Sequence, residues 1–172
     1  LQSAYKRFHS TETALVKVVN DILCSLDNGE VVILVLLDLS AAFDTVDHKI
    51  LIKRMKDYFG VKENALKWFM SYLSNRTQKV SVKGHTSDPV KLESGVPQGS
   101  VLGPILWNIY TAPLSAIMKS HDIDFHLYAD DNQLYLAFKP RVKGAQQLAV
   151  NTVQNTVSAI RSWMRRNNLK FN

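Results

Sequence analysis

Three aspartates occupy positions where their carboxylates can act together. Asp38 directly follows Val31–Leu37, an unbroken apolar run, and Asp130 and Asp131 lie between two apolar strand patterns. Carboxylates held close together repel one another unless a cation neutralises them, and oxygen ligands without a His/Cys cluster suit Mg²⁺ or Mn²⁺. Two such ions, about 3.5–4 Å apart, can activate an attacking hydroxyl and stabilise a leaving oxygen. The aspartates therefore indicate metal-dependent phosphoryl transfer.

Each aspartate also has an ordinary interpretation when taken alone. An Asp after a strand usually caps a helix or belongs to a turn, and Asp-Asp-Asn at a hairpin tip is common turn chemistry. The two features together in one topology favour a shared site. Asp44 and Asp47, by contrast, are best explained as caps of the following helix.

The elements that must position these aspartates alternate between helix and strand patterns. Ser10 or Thr11 can cap a first helix that Asn28-Gly29 ends, and Val31–Leu37 predicts a strand buried on both faces. Two helices follow, from about Val46 to Tyr58 and from about Lys62 to Leu73.

The second half of the chain contains two hairpin patterns and two more helices. The first hairpin, residues 78–83 and 90–93, alternates as a hairpin with one solvated face does. A Gly- and Pro-rich loop leads to a helix capped by Ser100. Residues 124–129 and 133–138 predict two strands joined by a turn at 130–132, and a final helix ends near Asn167.

This order predicts an α+β fold. Without the 78–93 hairpin, the elements run β-α-β-β-α, which is the split βαβ arrangement without its final strand. In such a sheet the first strand lies beside the later hairpin, so Asp38 can share one end of the sheet with Asp130 and Asp131.

Composition narrows the class of protein. The chain has 172 residues, of which 46% are hydrophobic and 21% charged, so it is neither disordered nor fibrous. Its single cysteine excludes an internal disulfide, and no apolar run approaches the roughly 20 residues of a membrane span. The net charge of +6 suits a polyanion partner but is common in proteins that bind no nucleic acid.

Several motifs resemble one polymerase family in order and spacing. Tyr128–Asp131 resembles the YXDD box of reverse transcriptases. Residues 36–48 and 94–104 resemble the two catalytic blocks of non-LTR (LINE- or Jockey-like) retrotransposon polymerases. Residues 2–12 resemble their fingers block, and residues 163–172 resemble the block after the catalytic hairpin. The chain is thus similar to a reverse transcriptase fragment over essentially its whole length.

The resemblance implies a right-hand polymerase palm, with a ferredoxin-like sheet and helices on one face, plus part of the fingers. It places fingers at residues 1–30, palm at 31–59, a fingers/palm helix and hairpin at 60–95, and palm again at 96–172. The thumb and the last palm strand are expected to be absent, and the isolated fragment is expected to be marginally stable, with weak or undetectable primer extension.

The resemblance also implies roles for single residues. Asp38, Asp130 and Asp131 match the metal-binding triad, with Asp131 the least direct ligand, and the Leu39 backbone would face one ion. Phe43 matches the aromatic residue against the sugar, where a bulky ring excludes a ribose 2′-hydroxyl. The remaining predicted nucleotide contacts are Ser40, Ala41, Ala42, Gln98, Gly99, Lys6 and Arg7. Arg76, Lys79 and Lys83 are weaker candidates for nucleic-acid contact, and a solvated strand face explains them equally well.

The function implied is RNA-directed DNA polymerisation in retrotransposition. The partners would be an RNA template, a DNA primer and deoxynucleoside triphosphates, with two Mg²⁺ or Mn²⁺ ions as cofactors and no membrane. The location would be the nucleus or cytoplasm. The alternative is a non-catalytic, truncated retroelement remnant that folds and binds nucleic acid.

Overall fold

A computed structural model of the chain describes residues 2–40 and 42–171, without the side chain of Ser40. These residues form two compact units. One unit combines residues 2–40 with residues 111–171, and the other consists of residues 42–110. Among the described residues, each helix is too short or too polar to span a membrane.

The first unit is built on a three-stranded antiparallel sheet. Its strands are β1 (Val31–Leu37), β7 (Asp124–Tyr128) and β8 (Asp131–Phe138), in the order β1-β8-β7. The sequence therefore predicted correctly that the first strand lies beside the later hairpin. A separate two-stranded ladder pairs β2 (Leu39–Ser40) with β9 (Lys170–Phe171). No sequence pattern predicts β9, because two residues are too few to show a strand pattern.

Three helices pack against this sheet or against one another. They are α1 (Thr11–Asp27), α5 (Leu114–Ser120) and α6 (Ala145–Arg166). As predicted, Ser10 caps α1, and its side chain accepts a hydrogen bond from the Thr13 amide. The α1 helix contacts β1 and β7, whereas α6 contacts β8 and α5. The fully buried side chains include Leu114, Met118, Leu134, Ile160 and Met164.

The prediction that β1 is buried on both faces is wrong. None of its residues is buried, and Leu36 is 69% exposed. The strand lies at an edge of the sheet, with β8 on one side. Leu34 and Leu36 project to the same face because strand residues alternate, and both are exposed there. Seven apolar residues in a row thus do not mark a central strand in this unit.

The second unit contains three helices and two small ladders. The helices are α2 (His48–Asp57), α3 (Glu63–Leu73) and α4 (Gly103–Thr111), of which only the last residue, Thr111, is counted with the first unit. One ladder pairs β3 (Thr77–Gln78) with β6 (Val90–Lys91), and the other pairs β4 (Ser81–Val82) with β5 (His85–Thr86). All eight of these strand residues are exposed, which corrects the prediction of a hairpin with only one solvated face. The core contains Val46, Leu51, Met55, Leu106, Trp107 and Tyr110, each 0% exposed.

Candidate active site

The sheet register brings the three aspartates to one end of the first unit. Leu37 pairs with Asn132, so Asp38 follows β1 next to Asp131, the first residue of β8. Tyr128 pairs with Asp131 across the hairpin, and Asp130 lies in the turn between them. The positions predicted from the sequence are therefore adjacent in the structure.

The hairpin turn begins one residue earlier than predicted and has two residues instead of three. It consists of Ala129 and Asp130, and Asp131 and Asn132 already belong to β8. Ala129 has a φ of 56°, in the left-handed region that favours glycine. The pattern Asp-Asp-Asn suggested a turn at 130–132 because these residue types are common in turns. The paired strands instead enforce a two-residue connection.

The electrostatics of the cluster reflect its concentrated negative charge. Partial burial raises the pKa of the Asp131 carboxyl, and the neighbouring charges of Asp130 and Asp38 raise it further. Burial also raises the pKa of the Tyr5 phenol, and the charge of Asp130 adds to this effect. The segment that contains Tyr5 therefore runs close to the aspartate turn.

The donor chemistry of this cluster fits a hard divalent cation. Its side chains offer carboxylate oxygens, and the mutual repulsion of these charges is what a cation relieves. Within residues 2–40 and 42–171, however, no three His, Cys, Asp or Glu side chains are arranged as a ready metal-binding group. The structure thus gathers the donors at one end of the sheet, and it contains no closed coordination shell in its described part.

The backbone beside Asp38 is held by a second strand pair. Leu39 is 4% exposed and pairs with Phe171, and Ser40 pairs with Lys170. Leu39, predicted to face an ion through its backbone, therefore lies in a fixed ladder next to Asp38. Ala41 and the side chain of Ser40, both predicted nucleotide contacts, lie outside the described residues.

Two side-chain amides hold the turn: that of Asn132, which was predicted as a turn residue, and that of Gln2, for which no individual role was predicted. Gln2 forms hydrogen bonds with both backbone groups of Ala129, at 3.0 and 3.1 Å. Asn132 is 3% exposed, and its Nδ2 donates to the Asp130 carbonyl at 2.8 Å. A local polar residue such as Asn132 is a recognisable turn signal. The contact of Gln2 spans 127 positions, which no local pattern reveals.

The predicted sugar-gate and nucleotide residues of the second unit are also brought together. The Val96 amide donates to the Phe43 carbonyl at 2.9 Å, and Gln98 Nε2 donates to Asp44 Oδ1 at 3.5 Å. The half-buried Phe43 ring stacks on Trp107 with 5.4 Å between ring centroids. Gln98 and Gly99 are exposed, and Ala42 is 5% exposed. The two motif segments therefore form one local structure.

The two predicted cap residues, Asp44 and Asp47, lie in the second unit, and the predicted nucleotide contacts Lys6 and Arg7 lie in the first. Asp47 caps α2, as predicted, by accepting hydrogen bonds from the Lys49 and Ile50 amides. Asp44 is not the cap residue, because the helix begins four positions later. Lys6 and Arg7 are exposed in the first unit, and the Arg7 guanidinium lies 4.6 Å from the centroid of the Phe8 ring.

The three weaker candidates for nucleic-acid contact lie in the second unit. Arg76 Nη1 donates to the Tyr72 carbonyl at 3.3 Å, and its guanidinium lies over the Tyr72 ring. Lys79 and Lys83 are exposed. Lys83 has a φ of 48°, which places it in the turn between β4 and β5. A contact of these residues with nucleic acid stays a prediction.

Comparison with known proteins identifies relatives over the whole chain. Residues 1–172 match the family model described as reverse transcriptase (RNA-dependent DNA polymerase). A probable RNA-directed DNA polymerase from transposon BS of Drosophila melanogaster is 32% identical over 99% of this chain and 19% of the relative. The RNA-directed DNA polymerase from mobile element jockey of the same species is 30% identical over 99% of this chain and 18% of the relative. The chain thus spans about a fifth of these curated relatives.

A solved structure supports the fold independently. Apo telomerase from Candida tropicalis matches with a TM-score of 0.65 and 16% identity, over 99% of this chain and 32% of that chain. At that identity the similarity concerns the fold alone, and this fold agrees with a palm and part of the fingers. The match of the family model over all 172 residues shows that the chain belongs to the reverse transcriptase family.

Proposed function

We propose that this chain forms the palm and part of the fingers of an RNA-directed DNA polymerase from a non-LTR retrotransposon. The observation that carries the proposal is the strand register. It places Asp38 next to Asp131 and puts Asp130 in the connecting turn. A sheet that merely needed a stable hairpin would gain nothing from three repelling carboxylates at one end. Clustered like charges are instead characteristic of functional sites.

The three aspartates would hold two divalent ions, Mg²⁺ or Mn²⁺, with the Leu39 backbone nearby. When bound, such ions favour the alkoxide of a primer 3′-hydroxyl and stabilise charge on the leaving pyrophosphate. The chain itself supplies the fixed geometry. Asp38 lies between β1 and the β2–β9 ladder, and Asp130 and Asp131 are carried by a hairpin held through Gln2 and Asn132.

The substrates would be an RNA template, a DNA primer and deoxynucleoside triphosphates. Phe43 supports deoxyribose as the sugar of the substrate. Its ring stacks on the buried Trp107, and this contact would hold the ring in place beside a bound nucleotide. The other proposed nucleotide contacts are Ser40, Ala41, Ala42, Gln98, Gly99, Lys6 and Arg7. The proposed division into fingers (1–30), palm (31–59 and 96–172) and a fingers/palm helix and hairpin (60–95) follows from the family resemblance, as does a location in the nucleus or cytoplasm.

Primer extension on poly(rA)/oligo(dT) with Mg²⁺ tests the polymerase function. Asp130→Asn removes a charge from the cluster with little change in shape. We expect it to reduce extension by about a hundredfold or more, because electrostatic stabilisation dominates this chemistry. Asp124→Asn is the matched control, since Asp124 is an exposed residue at the opposite end of β7. The control variant should extend the primer at the parent rate.

The outcome also separates the polymerase from a non-catalytic remnant. Equal extension by the parent and Asp130→Asn would refute the role of the cluster. A longer reading frame containing this chain that is folded and binds the primer–template, as measured by fluorescence anisotropy, but does not extend it would refute polymerase activity and support the remnant. Far-ultraviolet circular dichroism of each variant shows whether the protein is folded.

A further inference from the structure

The segment Gln2–Ala4 lies along the edge strand β7. Gln2 forms a parallel bridge with Leu127, and the Ser3 amide donates to the Leu127 carbonyl at 2.9 Å. Ser3 Oγ and His126 Nε2 share a second hydrogen bond of 2.9 Å, and both residues are at most 3% exposed. The segment is therefore anchored to the sheet by backbone and side chain.

This anchor directs the Gln2 side chain to the aspartate turn. Its Nε2 donates to the Ala129 carbonyl at 3.1 Å, and its Oε1 accepts from the Ala129 amide at 3.0 Å. The same Oε1 accepts from the Ala4 amide at 3.0 Å. One primary amide thus holds the donor and the acceptor of Ala129, as the backbone of a neighbouring strand would.

Ala129 needs such support because of its conformation. A φ of 56° brings the Cβ of a residue other than glycine close to its own backbone, so alanine tends to leave this region. The next residue is Asp130, whose carboxylate direction follows from the turn geometry. Loss of the two Gln2 contacts would therefore let the turn relax and move Asp130.

We propose that Gln2 is a positioning residue, which holds the Ala129–Asp130 turn so that Asp130 faces Asp38 and Asp131 as a metal ligand. The expected effect on catalysis rests on the proposed function, whereas the expected effect on the Ala129–Asp130 turn does not. Some residues hold a metal ligand in place without binding the metal themselves. Their replacement typically lowers metal affinity or activity about 10–100-fold. We expect a loss in that range from Gln2.

Gln2→Met is the variant that tests this role. It keeps the length of the side chain and removes both hydrogen-bonding groups. Gln154→Met, at an exposed position of α6, is the matched control. Three quantities are measured on the full chain: the exchange rate of the Ala129 amide by NMR, the Mn²⁺ affinity by electron paramagnetic resonance, and the kcat and KM of single-nucleotide incorporation.

For Gln2→Met we expect the Ala129 amide to exchange at least about tenfold faster, and Mn²⁺ affinity and kcat to fall about 10–100-fold. The KM for primer–template should stay within about twofold, since Gln2 positions the turn rather than the nucleic acid. A role confined to general stability would instead lower the amount of active protein without changing Mn²⁺ affinity per folded molecule.

A second variant keeps the inference testable if Gln2→Met is unstable. In Gln2→Met/Ala129→Gly, glycine adopts the left-handed conformation without a Cβ clash. We expect this variant to regain most of the lost Mn²⁺ affinity. The inference is overturned if Gln2→Met matches Gln154→Met in amide exchange and Mn²⁺ affinity, or if the glycine variant regains none of the lost affinity. Failure of primer extension bears on the proposed function alone, because amide exchange and Mn²⁺ affinity still decide the role of Gln2.

Discussion

Gly95 is the position where a single added methyl group should most disturb the Gly- and Pro-rich loop that contains Gln98 and Gly99. Its φ is 90°, which L-amino acids rarely adopt. A Cβ at this position would lie 3.0 Å from the Asp44 carbonyl oxygen and 3.2 Å from the Asp44 Cα. Both neighbours are backbone atoms, so neither can move aside as a flexible side chain would.

The loop has little freedom to relieve this clash. The Gly95 amide donates to the Val46 carbonyl at 2.8 Å, and the Gly95 carbonyl accepts from His48 Nε2 at 2.7 Å. The adjacent Ser94 Oγ donates to the Asp44 carbonyl at 3.0 Å. Backbone strain at positive φ costs about 1–2 kcal/mol, and overpacking adds about 1–3 kcal/mol. We expect Gly95→Ala to reduce the free energy of unfolding by about 2–5 kcal/mol.

Urea unfolding of Gly95→Ala measures this loss, and Gly84→Ala separates its two parts. Gly84 has a similar φ of 84°, but an added Cβ there would meet no atom within 4 Å. The control should therefore lose only the conformational part, about 1–2 kcal/mol. If Gly95→Ala costs no more than Gly84→Ala, the contact with Asp44 does not constrain the loop, and the reasoning fails.

Two further predictions concern His126, which anchors the segment Gln2–Ala4 to the sheet, and the discrimination between deoxyribonucleotides and ribonucleotides. Burial lowers the pKa of His126 below its ordinary 6.5, so the unfolded state binds more protons as the pH falls below 6.5. Stability should accordingly fall on acidification through that range, and His126→Gln should lose this part of the pH dependence in thermal unfolding. Phe43→Val should admit ribonucleotides in primer extension because it removes the ring stacked on Trp107; unchanged sugar discrimination would rule out Phe43 as the gate.

Local sequence patterns predicted the elements of the site well. The bounds of β1 follow from its composition, and the caps Ser10 and Asp47 follow from residue type and position. The pairing of β1 with the later hairpin follows from the order of elements, and it is confirmed. These features depend on neighbours in the chain or on a small set of allowed topologies, so the sequence contains enough information to fix them.

The predictions that were wrong concern features set by contacts between residues that are distant in the sequence. The exposure of Leu34 and Leu36 is set by which elements cover the β1 face, and composition does not reveal that cover. The turn begins at Ala129, one residue earlier than predicted, because the pairing of Tyr128 with Asp131 leaves only two residues to connect the strands. Local preference placed it on Asp and Asn instead. The sequence therefore predicted which aspartates lie together more reliably than the backbone geometry that positions them.

The support of the aspartates comes from distant parts of the chain. Ala129, before Asp130, is held by Gln2, and Leu39, after Asp38, is paired with Phe171. Neither partner carries a charge that could bind a cation, so a search for ligands alone overlooks both. A carboxylate contributes to a metal site only if its backbone cannot yield to the repulsion of its neighbours. Replacement of the neutral Gln2 side chain should therefore affect function more than its chemistry suggests, and the geometry of the cluster depends on the folding of the first unit.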